Sequence, residues 1–250
     1  MSPEKTVFES KALDIIQKAD NRGIVLRVMG AVAFRIHCHN SIDLIKAMNR
    51  PITDLDFMGY GKQRSEVINL FKDLGYILDR EMLLLADRLK LRSPSEDLNI
   101  DVFMDELEMS HTVEFKGRLE LDYPTIPLAD LLLEKMEIVR INEKDLKDTI
   151  LLLREHRIGK DKECIDPEYI AKTLADDWGF YYTLTTNLKK TLEYVSNYDL
   201  LNNAEVADVR SKISKLMEAI ESAPKSLRWK MRARVGARSK WYEDVDDAPS

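Results

Sequence analysis

Apolar residues recur at Ala12, Ile15, Ile16 and Ala19 within residues 8–21, and Asn21-Arg22-Gly23 closes the run, so the spacing predicts a first helix. Ile24 to Met29 is a run of β-branched and aliphatic residues that reads as a strand, ending at Gly30 before a helical stretch from Ala31 to about Ile36. Leu55 and Phe57 alternate with Asp54 and Asp56 in a second strand. Lys62 to Leu74 has helical spacing (Val67, Ile68, Leu70, Phe71, Leu74) and stops at Gly75. Arg88–Arg92 and Leu98–Phe103 flank Ser93-Pro94-Ser95-Glu96-Asp97, which predicts a hairpin. An extended piece over 112–121 precedes Tyr123-Pro124-Thr125-Ile126-Pro127, where two prolines mark a domain boundary. From Pro127 onward the pattern gives helices only, near 127–139, 143–155, 167–176, 180–196, 203–221 and 225–235.

The expected class is therefore α+β followed by an all-α region. The expected parts are an α+β domain over 1–124, a helical domain over 125–240 and an acidic tail over 241–250. The chain shows no internal repeat and no low-complexity linker.

Strand side chains alternate faces, so Asp54 and Asp56 point the same way. Two adjacent anions repel, and Mg²⁺ held by one or two carboxylates plus substrate phosphates relieves that repulsion. A solvated strand end carrying two acids is the bland alternative. Asp101 adds a third carboxylate inside the apolar strand Ile100-Asp101-Val102, where a lone buried acid is costly without a partner. Gly30 and Ala31 stand between a strand and a helix, where backbone N–H groups can cradle a phosphate and glycine permits close approach.

Composition narrows the class further. With 250 residues, 44% hydrophobic and 33% charged, the chain is long enough to bury a core and reads as a folded protein. A net charge of −6 leaves no global basic field for nucleic acid, although a local patch is still open. No segment has the ~20 apolar residues a membrane span needs, and Met1 to Lys5 begin without an apolar signal core, so a cytoplasmic location is expected. The two cysteines, Cys38 and Cys164, do not suggest a disulfide scaffold. His37-Cys38-His39 is a poor zinc motif, because consecutive side chains fan apart.

Taken in order, the Gly30-Ala31 turn, Asp54-Leu55-Asp56 and Asp101 resemble the nucleotidyltransferase superfamily that includes DNA polymerase beta. Its pattern is a strand ending in Gly-Ser or Gly-Gly, an Asp-x-Asp strand and a third Asp on a later strand. Arg50-Pro51-Ile52-Thr53-Asp54, Leu131 to Lys135, Arg140 and Lys144 to Asp148 are similar to the nucleotidyltransferases of abortive-infection and related toxin–antitoxin systems. The resemblance covers residues 10–155. It implies a nucleotidyltransferase-like mixed sheet with flanking helices. It also implies a Mg²⁺- or Mn²⁺-dependent transfer of a nucleotide from an NTP to an acceptor hydroxyl, with Asp54, Asp56 and Asp101 as catalytic metal ligands. Gly30, Ala31, Arg50, Thr53, Lys135 and Asp148 would bind the nucleotide. Two departures stand out: Ala31 replaces the usual Ser or Gly, and the 24 residues from Gly30 to Asp54 exceed the usual spacing, as an insertion around Cys38 to Met48 would explain. The Ala31 departure motivates the alternative of a non-catalytic nucleotide-binding or toxin–antitoxin partner protein.

Two further stretches carry open readings. Lys135 lies within the apolar stripe Leu128, Leu131, Leu132, Ile138, Val139, so its cation either meets a phosphate or snorkels to water. Asp145 and Asp148 either orient that lysine or a substrate hydroxyl, or are surface acids. Residues 225–240 hold seven cations and no acid, with Trp229 and Trp241 near the ends. That run either follows an RNA acceptor or pairs with acidic faces of the same chain. Trp178, Phe180, Tyr181 and Tyr182 are expected to be core of the helical domain.

Overall fold

The computed structural model describes residues 6–49, 51–79, 87–96 and 98–245. They form ten α-helices and nine short strands in two units. The first unit takes in the chain through Leu107 and again Glu114–Pro127; the second takes in Glu108–Val113 and the chain from Leu128 onward.

A five-stranded mixed sheet organises the first unit, in the order β1 (Leu26–Met29), β2 (Asp54–Gly59), β5 (Asn99–Met104), β4 (Arg88–Arg92), β3 (Ile77–Leu78). Only the β2–β5 pairing is parallel, with Asp56 opposite Asp101. One face carries Leu26, Val28, Leu55, Phe57, Leu89, Leu91, Ile100 and Val102, all buried. Against it pack α1 (Val7–Asp20), through Ala12, Ile15, Ile16 and Ala19, and α4 (Arg64–Asp73), whose Phe71 ring meets Phe57 at 6.1 Å. Burying these side chains supplies about 1.5–3 kcal/mol each, the main term holding the sheet. The α1 start is fixed by a capping box between Thr6 and Glu9. The outer edge of β1 is covered by the returning chain: the Val28 N–H donates to Pro124 O and the Ile126 N–H to Val28 O, both at 3.0 Å.

The predicted hairpin is present as β4 and β5, and the predicted helix after Gly30 runs as α2 (Gly30–His37). The long interval before Asp54 holds a 3₁₀ turn (His39–Ser41) and α3 (Ile42–Ala47), whose apolar pattern is too short to predict a helix. The extended piece expected over 112–121 needs correction. Only β7 (Thr112–Glu114), the partner of β6 (Glu106–Glu108), is strand. Beyond it Gly117, at φ +68°, turns the backbone, and Arg118 N–H returns to Phe115 O.

In the second unit α5 (Leu128–Met136), α6 (Glu143–Glu155), α7 (Pro167–Leu174), α8 (Trp178–Ser196), α9 (Asn203–Ser222) and α10 (Leu227–Val235) build a helical core. Ile150, Leu151, Leu152 and Leu153 are buried in succession, so α6 is enclosed on all sides at its centre. Asn142, Asp166, Asp177, Asn202 and Ser226 cap the helices that follow them, which sets starts that apolar spacing alone placed two residues off for α8 and α10. The expectation of helices only is corrected by β8 (Arg157–Ile158) and β9 (Cys164–Ile165), a two-residue parallel pair too short to leave a sequence pattern.

Candidate active site

The outward face of the five-stranded sheet carries charge where the inward face carries hydrocarbon. Side chains of paired residues share a face, so Asp54, Asp56 and Asp101 all project outward. Each is half-buried. Asp56 and Asp101 are side by side on neighbouring strands, one spacing of about 4.8 Å apart. The Thr53 hydroxyl donates to Asp54 Oδ1 at 3.3 Å.

Gly30 begins α2 at φ +64°, and a Cβ there would run into the Asp56 carboxylate. The glycine is thus required twice, by its left-handed backbone and by the acid pressed against it. Its immediate role is to let β1 and the α2 start approach Asp56.

Asp101 has a partner that the sequence reading missed. Arg88 on β4 donates from Nε to Oδ1 at 3.0 Å and places Nη2 3.0 Å from Oδ2, a two-pronged ion pair. The same guanidinium lies 4.7 Å from the Phe103 ring centroid, which fixes its plane. Alternation puts Lys90 and Arg92 on that face too, opposite Asp101 and Asn99. The signal was available: Arg88-Leu89-Lys90-Leu91-Arg92 is a perfect cation–leucine alternation. A cleft of about 680 Å³ on this face is lined by Asp54, Asp101, Asn99, Lys90, Arg92 and Asp79, among others.

Among the described residues no three His, Cys, Asp or Glu side chains gather closely enough to cage an ion unaided. Asp54 and Asp56 still fit Mg²⁺ in its usual mode, in which one or two carboxylates act together with substrate phosphates. Asp101 fits a second ion less well, because both of its oxygens already face Arg88.

Other candidates fall elsewhere. Arg50 lies outside the described residues. Lys135 and Asp148 belong to the second unit, where the Lys135 ammonium is ringed by carboxylates of Glu134 (3.2 Å), Asp145 (3.7 Å) and Asp148 (3.8 Å). Glu134 was not singled out from the sequence. Asp145 also closes the capping box of α6 with Asn142. His37, Cys38 and His39 do not converge: the His37 imidazole contacts Thr125 Oγ1 at 2.6 Å and Asp122 at 3.5 Å, while Cys38 is buried. In the basic run, Lys225 donates to the carbonyls of Ile220 and Ala223, Arg232 to those of Gly236, Ser239 and Lys240, Arg238 to those of Arg234 and Val235, and Lys240 pairs with Asp244. Trp229 packs edge-on against Tyr181 and Trp241 against Tyr182.

No family model and no curated protein matches this chain. Solved structures similar to it include two. One is the antibiotic-resistance factor ANT(2'')-Ia, with 15% identity over 91% of this chain and 93% of that one, at a TM-score of 0.34. The other is an antigenic nucleotidyltransferase-like protein from Paracoccidioides brasiliensis, with 14% identity over 88% and 94%, at a TM-score of 0.39. Likeness at this level assigns no residue role, substrate or activity.

Proposed function

We propose that this chain is a Mg²⁺- or Mn²⁺-dependent nucleotidyltransferase that moves a nucleoside monophosphate from an NTP to an acceptor hydroxyl and releases pyrophosphate. The observation that carries the reading is the row of three half-buried carboxylates on one face of the sheet, with Asp56 packed on the Gly30 turn and beside Asp101. Asp54 and Asp56 would hold the metal ion, which when bound neutralises charge on the phosphoryl oxygens. Backbone N–H groups at the α2 start offer a phosphate cradle, with Ala31 contributing its amide and no hydroxyl. Thr53 orients Asp54. Asp101, fixed in place by Arg88, faces the acceptor hydroxyl and takes its proton as the oxygen attacks the α-phosphorus. The bond from the α-phosphorus to the bridging oxygen breaks, and pyrophosphate carries the electron pair away.

A second reading is favoured by the Arg88–Asp101 ion pair, which occupies the third acid: a protein that binds NTP without turnover, as one member of a toxin–antitoxin pair. Among the described residues no helix is long and apolar enough to cross a membrane. A phosphate contact from Lys135, assisted by Asp148, requires the ammonium to share itself with three carboxylates.

The test is incubation with Mg²⁺, each of four α-³²P-labelled NTPs, and total RNA or the chain itself as acceptor, beside Asp54→Asn/Asp56→Asn. Label moved by the wild type and not by the variant supports transfer. Equal labelling by both removes the proposed role of the pair, and Mg²⁺-dependent binding without pyrophosphate release supports the second reading.

A further inference from the structure

The cations of this molecule divide into those with a partner and those without. On the sheet face Arg88 is paired, whereas Lys90 and Arg92 are exposed, their side chains make no hydrogen bond or ion pair with any described residue, and both line the same cleft as Asp54 and Asp101. We propose that Lys90 and Arg92 form a phosphate-binding subsite that holds the backbone of a single-stranded nucleic acid serving as the acceptor, presenting its terminal hydroxyl to Asp101. The proposal rests on the nucleotidyl-transfer reading of this face and names the class of its second substrate.

Three features favour that ligand. Lys90 and Arg92 are two residues apart on one strand, so their side chains leave the sheet about 7 Å apart. That separation suits two successive anions of a chain better than one compact anion. The subsite also lies across the acid row from the nucleotide cradle. In the order β1–β2–β5–β4, the Gly30 turn follows β1 and the cations stand on β4, three strand spacings or roughly 14 Å away, with the acids of β2 and β5 between. One flank would take the donor's phosphates and the other flank the acceptor's. Finally, these two cations adjoin the candidate chemistry, lining the same cleft as Asp54 and Asp101.

The same anion chemistry could be supplied by the triphosphate of the NTP, and the experiment separates the two sources. Lys90→Gln/Arg92→Gln is compared with wild type and with Arg228→Gln/Lys230→Gln/Arg234→Gln, which removes the exposed cations of α10. One arm measures fluorescence anisotropy of a 5′-fluorescein 12-nucleotide single-stranded RNA across a salt series. The other measures calorimetric binding of a Mg²⁺-nucleotide with a methylene bridge between its α- and β-phosphates. The expected result for the β4 pair is RNA binding at least ~10-fold weaker, with the log–log salt slope smaller by about 1.4, the loss of two single-strand phosphate contacts. Nucleotide affinity should stay within about twofold, since the opposite flank is untouched. The proposal is overturned if the nucleotide weakens as much as or more than the RNA, or if RNA binding responds only to the α10 triple variant. RNA binding through Lys90 and Arg92 by a protein that moves no label would keep the subsite and refute the transfer reading.

Discussion

The two units hold their carboxylates in opposite ways. On the sheet of the first, Asp54, Asp56 and Asp101 are half-buried on a face that opens into a cleft, with cations on the neighbouring strand. In the second, Asp130, Glu134, Glu137 and Asp148 are each less than a tenth exposed, and protein groups close around them. Tyr169 donates to Asp130 at 2.9 Å, Lys135 sits among Glu134, Asp145 and Asp148, and the His111 N–H donates to Glu137 at 3.2 Å. Burial pushes the Glu137 carboxyl well above its usual range, with the Glu134 charge adding to it. Acids that keep a route to solvent can change partners during a reaction. Acids closed in by protein groups hold helices together, and removing their partner leaves an uncompensated buried charge.

The largest expected effect lies on the open face. Asp54→Asn/Asp56→Asn should lower nucleotide transfer by about 10³-fold, the several kcal/mol of charge stabilisation that metal coordination provides, while leaving the melting temperature unchanged or raised. Initial-rate assays and thermal melts on the same preparations read both.

Lys135→Met should show the reverse signature. It removes the cation shared by three carboxylates and should cost about 3 kcal/mol of stability, read as a lower urea midpoint. Loss of transfer with an unchanged midpoint would instead make the lysine a phosphate ligand.

His111 supplies a pH-dependent form of the same contrast. Burial lowers its pKa from 6.5 to about 4, although the Asp177 charge opposes the shift, and its Nε2 lies 2.7 Å from Thr183 Oγ1. The folded state therefore prefers the neutral ring. Its stabilisation is fully present above pH ~6.5 and is lost as pH falls toward 4, by up to about 3 kcal/mol. Urea midpoints between pH 7 and pH 4 should fall less steeply in His111→Gln than in the wild type.

The smallest effect belongs to Arg88. Arg88→Met frees both oxygens of Asp101 and should raise the number of Mn²⁺ ions bound per chain by one, with Asp56 and Asp101 adjacent to receive it. An unchanged count would show that the ion pair does not keep a second metal away.

Legibility in the sequence followed the physical range of each signal. The strand carrying Asp54 and Asp56, the β4–β5 hairpin and α6 were readable because alternation and helical spacing are local, and each has a long enough run. The facing of Asp56 and Asp101 follows from a parallel pairing between strands more than forty residues apart, which no local pattern states. Cation density was a poor guide. The conspicuous run over 225–240 commits Lys225, Arg232, Arg238 and Lys240 to their own chain and leaves Arg228, Lys230 and Arg234 exposed away from the cleft's lining, whereas the brief alternation of β4 places Lys90 and Arg92, whose side chains have no partner among the described residues, in the cleft itself. Whether a charge is available depends on tertiary partners, and sequence density does not report them. Gly30 was read as a phosphate cradle, and its backbone angle fits that use, but its contact with Asp56 emerged only from the pairing of β1 with β2.

The most direct test of the contrast is Mn²⁺ binding, followed by electron paramagnetic resonance in the presence of the methylene-bridged nucleotide. Wild type, Asp54→Asn/Asp56→Asn and Asp145→Asn/Asp148→Asn would be titrated in parallel. The open-face account predicts that bound Mn²⁺ disappears in the Asp54/Asp56 variant and persists in the Asp145/Asp148 variant. Retention in the first with loss in the second would place the cation among the closed acids and contradict it.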